Sequence, residues 1–379
     1  MRKPAEDACP AVTLAGMIVH RAENVGSLLR PDYLLDARDR HSRGGLSDAD
    51  FKRVEDRAVD EAVALQERAG LDVLTDGEQR RNVFASQIVQ AADGFEAVSG
   101  NEVDWFRLDG TVERSSVTVA VTGRIRRRRH FCTEELAYLR ARTAKPVKAT
   151  VPSPTMYAYY WAPGISDSAY PSPQAYLEDV TDLLRDEVAE LVRLGAEYVQ
   201  IDAPELGMLL DPHQQAWFAE KGFDPNRLIH DAVEMSNAIV AGAAVTVGLH
   251  VCRGNDANRY MARGGYERLA EEVFPRTAAD VLLLEYDDER SGGFAPLVHV
   301  PEDKVVVLGL VSTKRPELES EEELRARIDE AAAYVPLERL ALSTQCGFAS
   351  VAKGNDLTFE QEERKLELVA RVARTVWAS

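Results

Sequence analysis

The 379-residue chain is short of three things. Basic charge is one: 45 Lys and Arg stand against 63 Asp and Glu, a formal net charge of −18. That deficit argues against nucleic acid or an anionic membrane as partner, since both need basic surface. Cysteine is the second, with four residues, Cys9, Cys132, Cys252 and Cys346, scattered too widely for a disulfide framework. Reduced thiols in a cytoplasmic protein are the simplest expectation, and there a cysteine more often binds metal or reacts than cross-links. Long apolar runs are the third: no stretch approaches the roughly 18 to 20 residues of a membrane span. The charged segment Met1 to Pro10 has no apolar signal core, so export is not expected.

What is present is the composition of a globular protein with a sizeable core, 45% hydrophobic and 28% charged. One basic run, Arg124 to His130, cuts against the acidic trend and reads as a solvated hairpin or loop edge. Eight apolar runs end near His20, Asp76, Val151, Asp202, Cys252, Tyr286, Val311 and Leu342, with helical periodicity between most of them. Asp48 to Ala69 is one such helix, stopped by Gly70; another starts at Asp224, an N-cap with Pro225 in the first turn. The alternation predicts an α/β fold, a (β/α)8 TIM barrel, as one domain over residues 16–379 behind an N-terminal arm of residues 1–15. Alternating residues from Arg114 to Val121 and the turn Leu108-Asp109-Gly110 predict an inserted β-hairpin at about 93–130 that covers something. The Tyr- and Pro-rich piece from Tyr157 to Pro173 reads as a long loop with aromatic walls.

In such a barrel the chemistry collects where the strands end, because the loops there share one mouth. His250 and Cys252 stand two apart at the end of the run Ala244 to Val251, so they present a nitrogen and a sulfur to one side. A lone His-x-Cys is more often an ordinary buried pair than a metal site. Glu285 at the next strand end and Cys346 after the last complete a His/Cys/Glu/Cys set, and two thiolates with an imidazole favour zinc over oxygen-seeking cations. Asp287 and Asp288 follow Glu285, which leaves the identity of the carboxylate open. A thiolate-rich zinc site is a poor source of hydroxide but can keep an incoming thiol ionised, which points to thiol alkylation. Glu78 and Asp202 face the same mouth; their plainer role is to pair with Arg80, Arg81 or Arg253, and their functional role is to receive an ammonium group. Ser27, with the backbone around Gly26, would receive a carboxylate, so an amino acid bearing a thiol suits all three.

Together Asn24-Val25-Gly26-Ser27, Asp76-Gly77-Glu78, Gln200-Ile201-Asp202-Ala203-Pro204, His250-Val251-Cys252, Glu285 and Gln345-Cys346-Gly347 form a pattern that resembles the C-terminal catalytic barrel of cobalamin-independent methionine synthase. The nearest likeness is to the short, single-barrel members of that superfamily, and it covers nearly the whole chain after Met17. The resemblance implies zinc held by His250, Cys252, Glu285 and Cys346, with His250, Cys252 and Cys346 at the centre of catalysis and Ser27, Glu78 and Asp202 binding homocysteine. It also implies a methyl donor as second substrate, a folate or a corrinoid, and leaves a homo-oligomer open. Two departures weaken the folate part. The full-length enzyme has a further N-terminal barrel for which 379 residues leave no room, and the family's acid histidine has no counterpart in Val311 to Pro316. An alternative follows from a relative in the superfamily: addition of a thiol such as coenzyme M to an epoxide, with Arg80, Arg81 or Arg253 binding the sulfonate.

Overall fold

The computed structural model describes residues 12–14, 17–99 and 101–377. Most of the predicted arm, residues 1–11, lies outside them. Inside them, β1 (Val12–Leu14) pairs antiparallel with β2 (Met17–Val19), and the first parallel strand is β3 (Ala22–Glu23), slightly later than the expected end at His20.

Seven strands form one parallel sheet. In ring order they are β3, then β13 (Leu340–Thr344), β12 (Val305–Val311), β11 (Val281–Glu285), β10 (Thr246–Val251), β9 (Tyr198–Asp202) and β8 (Lys148–Pro152). The two edges of this sheet meet the same short segment: Glu23 bridges Val73, and Leu74 bridges Val147, both parallel. The expected strand ending at Asp76 is therefore this two-residue link, and the curled sheet it joins is TIM-barrel-like. Strands β8, β9, β11, β12 and β13 are buried along their whole length, as expected for a parallel sheet covered by helices outside and by its own side chains inside.

The helices begin and end on local chemistry. Ser47 accepts from the Asp50 amide to open the helix Asp48–Ala69, which Gly70 closes in the left-handed conformation. Asp224 caps Pro225–Val240, and a reciprocal Ser320/Glu323 capping box opens Glu321–Ala332. Their apolar stripes join one large core with the outward-facing strand residues, such as Leu282, Leu284, Val306 and Leu308. The alternate residues Val281, Leu283, Val305, Val307 and Ala341 form a separate small cluster inside the ring.

That period-two split positions the chemistry. Continuing the inward series Val281, Leu283 along β11 brings Glu285 to the mouth. On β9, Val199 and Ile201 join the outer core, so Gln200 and Asp202 point inward; on β10, Leu249 and Val251 do the same, which leaves His250 inside.

Between the segment at Val73 and β8 the chain forms two antiparallel ribbons: β4 (Ala92–Ala97) with β7 (Val119–Arg127), and β5 (Glu102–Phe106) with β6 (Val112–Ser116). The basic run lies on β7 and just after it. Arg124, Arg126, Arg128 and Arg129 are exposed, while Ile125 is buried and Arg127 pairs with the buried Glu187 at 2.8 Å. Rather than a long loop, residues after Ser153 first form a short helical stretch, Pro154–Tyr160.

Candidate metal and thiol site

Three of the predicted ligands come together. The nitrogen and sulfur atoms of His250, Cys252 and Cys346 lie within 4.8 Å of one another, all buried, and they are the only such group of three among the described residues. The carbonyl of Leu283 lies 3.1 Å from His250 Nδ1. A donor bond there fixes the tautomer, and Nε2 is left buried with no hydrogen-bond partner. This is how a ligating histidine is oriented by its outer nitrogen. The closeness of the two thiols splits their acidities. Cys252 holds Cys346 well below the ordinary thiol value, and Cys346 pushes Cys252 well above it. The donor set suits zinc by type, number and orientation.

Gly207 belongs to this arrangement. The short helix Pro204–Met208 packs so closely on the Cys252 carbonyl that a Cβ at residue 207 would lie 2.0 Å from that oxygen.

Glu285 is not one of the clustered donors. Its Oε2 accepts from the Arg253 amide at 2.8 Å, and its Oε1 faces Arg290 at 3.2 Å and Lys314 at 3.7 Å. Burial pushes its pKa up, but Lys314, Arg290 and Arg253 outweigh burial and hold it at about 2. Asp287 accepts from Ser312 Oγ at 2.6 Å, and Asp288 pairs with Arg290 at 2.7 Å, so neither joins the donor group.

The three predicted substrate residues line one cavity with His250, Cys252 and Cys346, about 490 Å³ in volume. Glu78 follows Gly77, and both adopt left-handed backbone (φ 53° and 66°), a conformation that costs a non-glycine residue energy and here carries its carboxylate to the mouth. Its Oε1 accepts from Arg81 (3.1 Å) and Thr150 (2.9 Å), and its Oε2 has no partner. Asp202 accepts from Gln200 Nε2 at 2.6 Å, and burial, opposed by His250, lifts it to about 7. Ser27 Oγ is buried and unpartnered. Gly347 makes room for it: a Cβ there would lie 2.5 Å from both Ser27 N and Ser27 Oγ.

Of the arginines considered as partners, only Arg81 meets a candidate substrate residue. Arg80 binds Asp56 at 2.6 Å, and Arg253 is spent on the Gly264 carbonyl and the Tyr266 hydroxyl. None of the three lines the cavity.

Several contributors were not singled out from the sequence. Trp105 and residues 115–119 of the ribbons line the cavity, together with Met156, Tyr159 and Tyr160. Asn255 anchors the Cys346 loop by donating to the Gly347 carbonyl at 2.5 Å. Glu205 is wholly buried, accepts from Ser153 and Thr155, and is lifted by burial to about 7. The aromatic character of the 157–173 stretch and the expected covering hairpin at about 93–130 hinted at the cavity walls, but not at these particular residues.

A barrel-like α/β fold whose strand ends gather two thiols, an imidazole and an acid-lined cavity has the layout of an enzyme active site at the barrel mouth. The chain belongs to the family described as cobalamin-independent synthase, catalytic domain, whose model matches residues 22–367. It is thus an enzyme of the methionine synthase family, a methyltransferase. The uncharacterized protein YxjH of Bacillus subtilis (strain 168) is 34% identical over 362 residues, 94% of each chain. The 5-methyltetrahydropteroyltriglutamate–homocysteine methyltransferase of Rhodococcus jostii (strain RHA1) is 27% identical over 354 residues, 91% of this chain but 42% of that one. Among solved structures, one from Listeria monocytogenes, assigned as a vitamin-B12 independent methionine synthase, superposes with a TM-score of 0.71 at 28% identity, covering 95% of this chain and 98% of that one. Among the described residues no helix is long and apolar enough to cross a membrane.

Proposed function

We propose that this enzyme methylates the sulfur of homocysteine to give methionine, using zinc held by His250, Cys252 and Cys346, with Glu285, which lies outside that cluster, as fourth ligand once its carboxylate turns from Arg290 and Lys314. The observation that carries the reading is the partnerless, tautomer-fixed Nε2 of His250 beside two thiols, in a cavity also lined by Ser27, Glu78 and Asp202. When bound, zinc supplies the positive charge that keeps a thiol ionised at neutral pH.

The chain's own residues do the rest. The free Oε2 of Glu78 and the carboxylate of Asp202 receive the substrate ammonium. Ser27 Oγ, buried and partnerless beside Gly347, receives its carboxylate. Trp105, Tyr159 and Tyr160 wall the cavity against water, so the thiolate meets the methyl group in a poorly hydrated space. The thiol proton leaves to solvent; as the sulfur–methyl bond forms, the bond between the methyl carbon and the donor breaks and the donor atom keeps the electron pair, a folate nitrogen taking up a proton and a corrinoid leaving in its reduced form.

The donor is a methyl-folate, a methylated corrinoid or another methyl compound. The segment after β12, which lacks the family's acid histidine, offers the buried Lys314 beside Glu285. For the alternative, coenzyme M and an epoxide, a sulfonate would need an arginine in the cavity, and Arg80, Arg81 and Arg253 are all engaged elsewhere. Three buried free thiols, Cys132, Cys252 and Cys346, suit a reducing compartment, so a cytoplasmic location is part of the proposal.

Purified zinc-loaded enzyme given homocysteine and each methyl donor in turn should form methionine with at least one. No methionine from any donor, with zinc retained, would sink the reading.

A further inference from the structure

Behind the thiol site, on the outer side of the turns that carry Ser27 and Glu78, lies a second cavity of about 300 Å³. Leu28, Leu29, Pro31, Ala62, Leu65 and Phe359 give it aliphatic and aromatic walls. Five polar side chains line it: Glu61, Arg68 and Glu363 at the rim, where Arg68 pairs with Glu363 at 3.0 Å, and Gln79 and Glu362 deeper, both fastened to the backbone of Leu29. Glu362 Oε1 accepts from the Leu29 amide at 2.8 Å, and Gln79 Nε2 donates to the Leu29 carbonyl at 3.2 Å, with longer bonds to the Leu28 and Gly77 carbonyls at 3.4 Å. Because Nε2 faces three carbonyls, the amide orientation of Gln79 is fixed and its Oε1 is the free end. Glu362 Oε2 and Gln79 Oε1 are both buried without a hydrogen-bond partner.

A glutamate is a costly residue at a wholly buried position when one oxygen is left idle. If its only task were to accept from the Leu29 amide, a glutamine would serve without the charge. The rim acids do not explain it, since Glu61 is taken by Arg57 and Tyr33, and Glu363 by Arg68. Burial, with Glu363 adding to it and the Leu29 amide opposing, lifts Glu362 to about 8, so the empty cavity favours the neutral carboxyl and a bound cation would restore its charge. A group that satisfied both free oxygens would carry several N–H donors and a positive charge, and the walls call for a short hydrocarbon body.

We propose that this second cavity is a binding site for a primary aliphatic ammonium compound, its –NH3+ group held by Glu362 Oε2 and Gln79 Oε1 and its alkyl body against Leu28, Leu65 and Phe359. The site is separate from the thiol cavity and stands whether or not homocysteine is the substrate.

The test is calorimetric titration of the full chain with n-butylammonium chloride, with 1-butanol and sodium butyrate as matched probes. Saturable binding of the amine alone is expected. It should weaken by about tenfold or more in Glu362→Gln, which keeps the acceptor for Leu29 but loses the charge. Ala64→Phe, a half-buried wall substitution, should abolish it by filling the cavity and serves if the first variant is poorly folded. Equal binding of butanol, unchanged amine binding in the folded Glu362→Gln variant, or no saturable binding at all overturns the proposal.

Discussion

At the scale of single residues, the site rests on atoms whose partners are missing within the protein. His250 Nε2, Ser27 Oγ and Glu78 Oε2 are buried and unbonded, a state that costs free energy unless a ligand completes it. Two consequences are measurable. Cys346→Ala should cut zinc content well below one per chain and slow methyl transfer by about 100-fold or more, since even outer partners of ligands matter by 10- to 100-fold. Metal analysis with steady-state rates checks it, and a variant that keeps both zinc and rate would contradict the assignment. Asp202→Asn should raise the KM for homocysteine by about 10- to 100-fold, the worth of a hydrogen bond to a charged group. The same change should barely affect a homocysteine analogue lacking the amino group. Equal losses on both thiols would mean that Asp202 supports structure rather than the ammonium.

At the scale of elements, what the sequence reveals depends on how local its cause is. The inward position of His250, Asp202 and Glu285 follows from period two along β10, β9 and β11, and the helix ends at Gly70 and Asp224 follow from cap chemistry within one turn. These features were legible. The contacts of Glu285 with Arg290 and Lys314 were not, because they join separate loops, and neither was the anchoring of Gly347 by Asn255, 92 residues away in sequence. Strand boundaries were least legible where pairing is briefest, as at β3 and at the link Val73–Leu74. Ring closure there leans on a buried ion pair inside the sheet: Lys148 on β8 binds Glu23 on β3 and the Asn24 carbonyl at 2.9 Å. Lys148→Met strands the Glu23 carboxylate in the interior and should cost about 3–5 kcal/mol of stability. Urea unfolding measures this, and a loss below about 1 kcal/mol would show that the pair does not hold the ring together.

At the scale of the molecule, the barrel mouth supplies the acids and thiols while the ribbons β4 to β7 supply part of the wall, so the reaction space is made by two parts of the chain far apart in sequence. Sequence patterns place the first set well because strands repeat their geometry. They place the second poorly, since Trp105 and residues 115–119 reach the cavity only through the path of the ribbons. The acidic net charge of −18 fits the same picture of an enzyme for a small molecule rather than for a polyanion. The central claim is that this cavity holds zinc through His250, Cys252 and Cys346 and brings a homocysteine sulfur to it. Zinc-edge X-ray absorption on the purified enzyme, with and without homocysteine, tests that claim most directly. The expected result is a mixed nitrogen and sulfur shell that gains one sulfur when homocysteine is added; a shell that homocysteine leaves unchanged would contradict zinc activation of the substrate thiol.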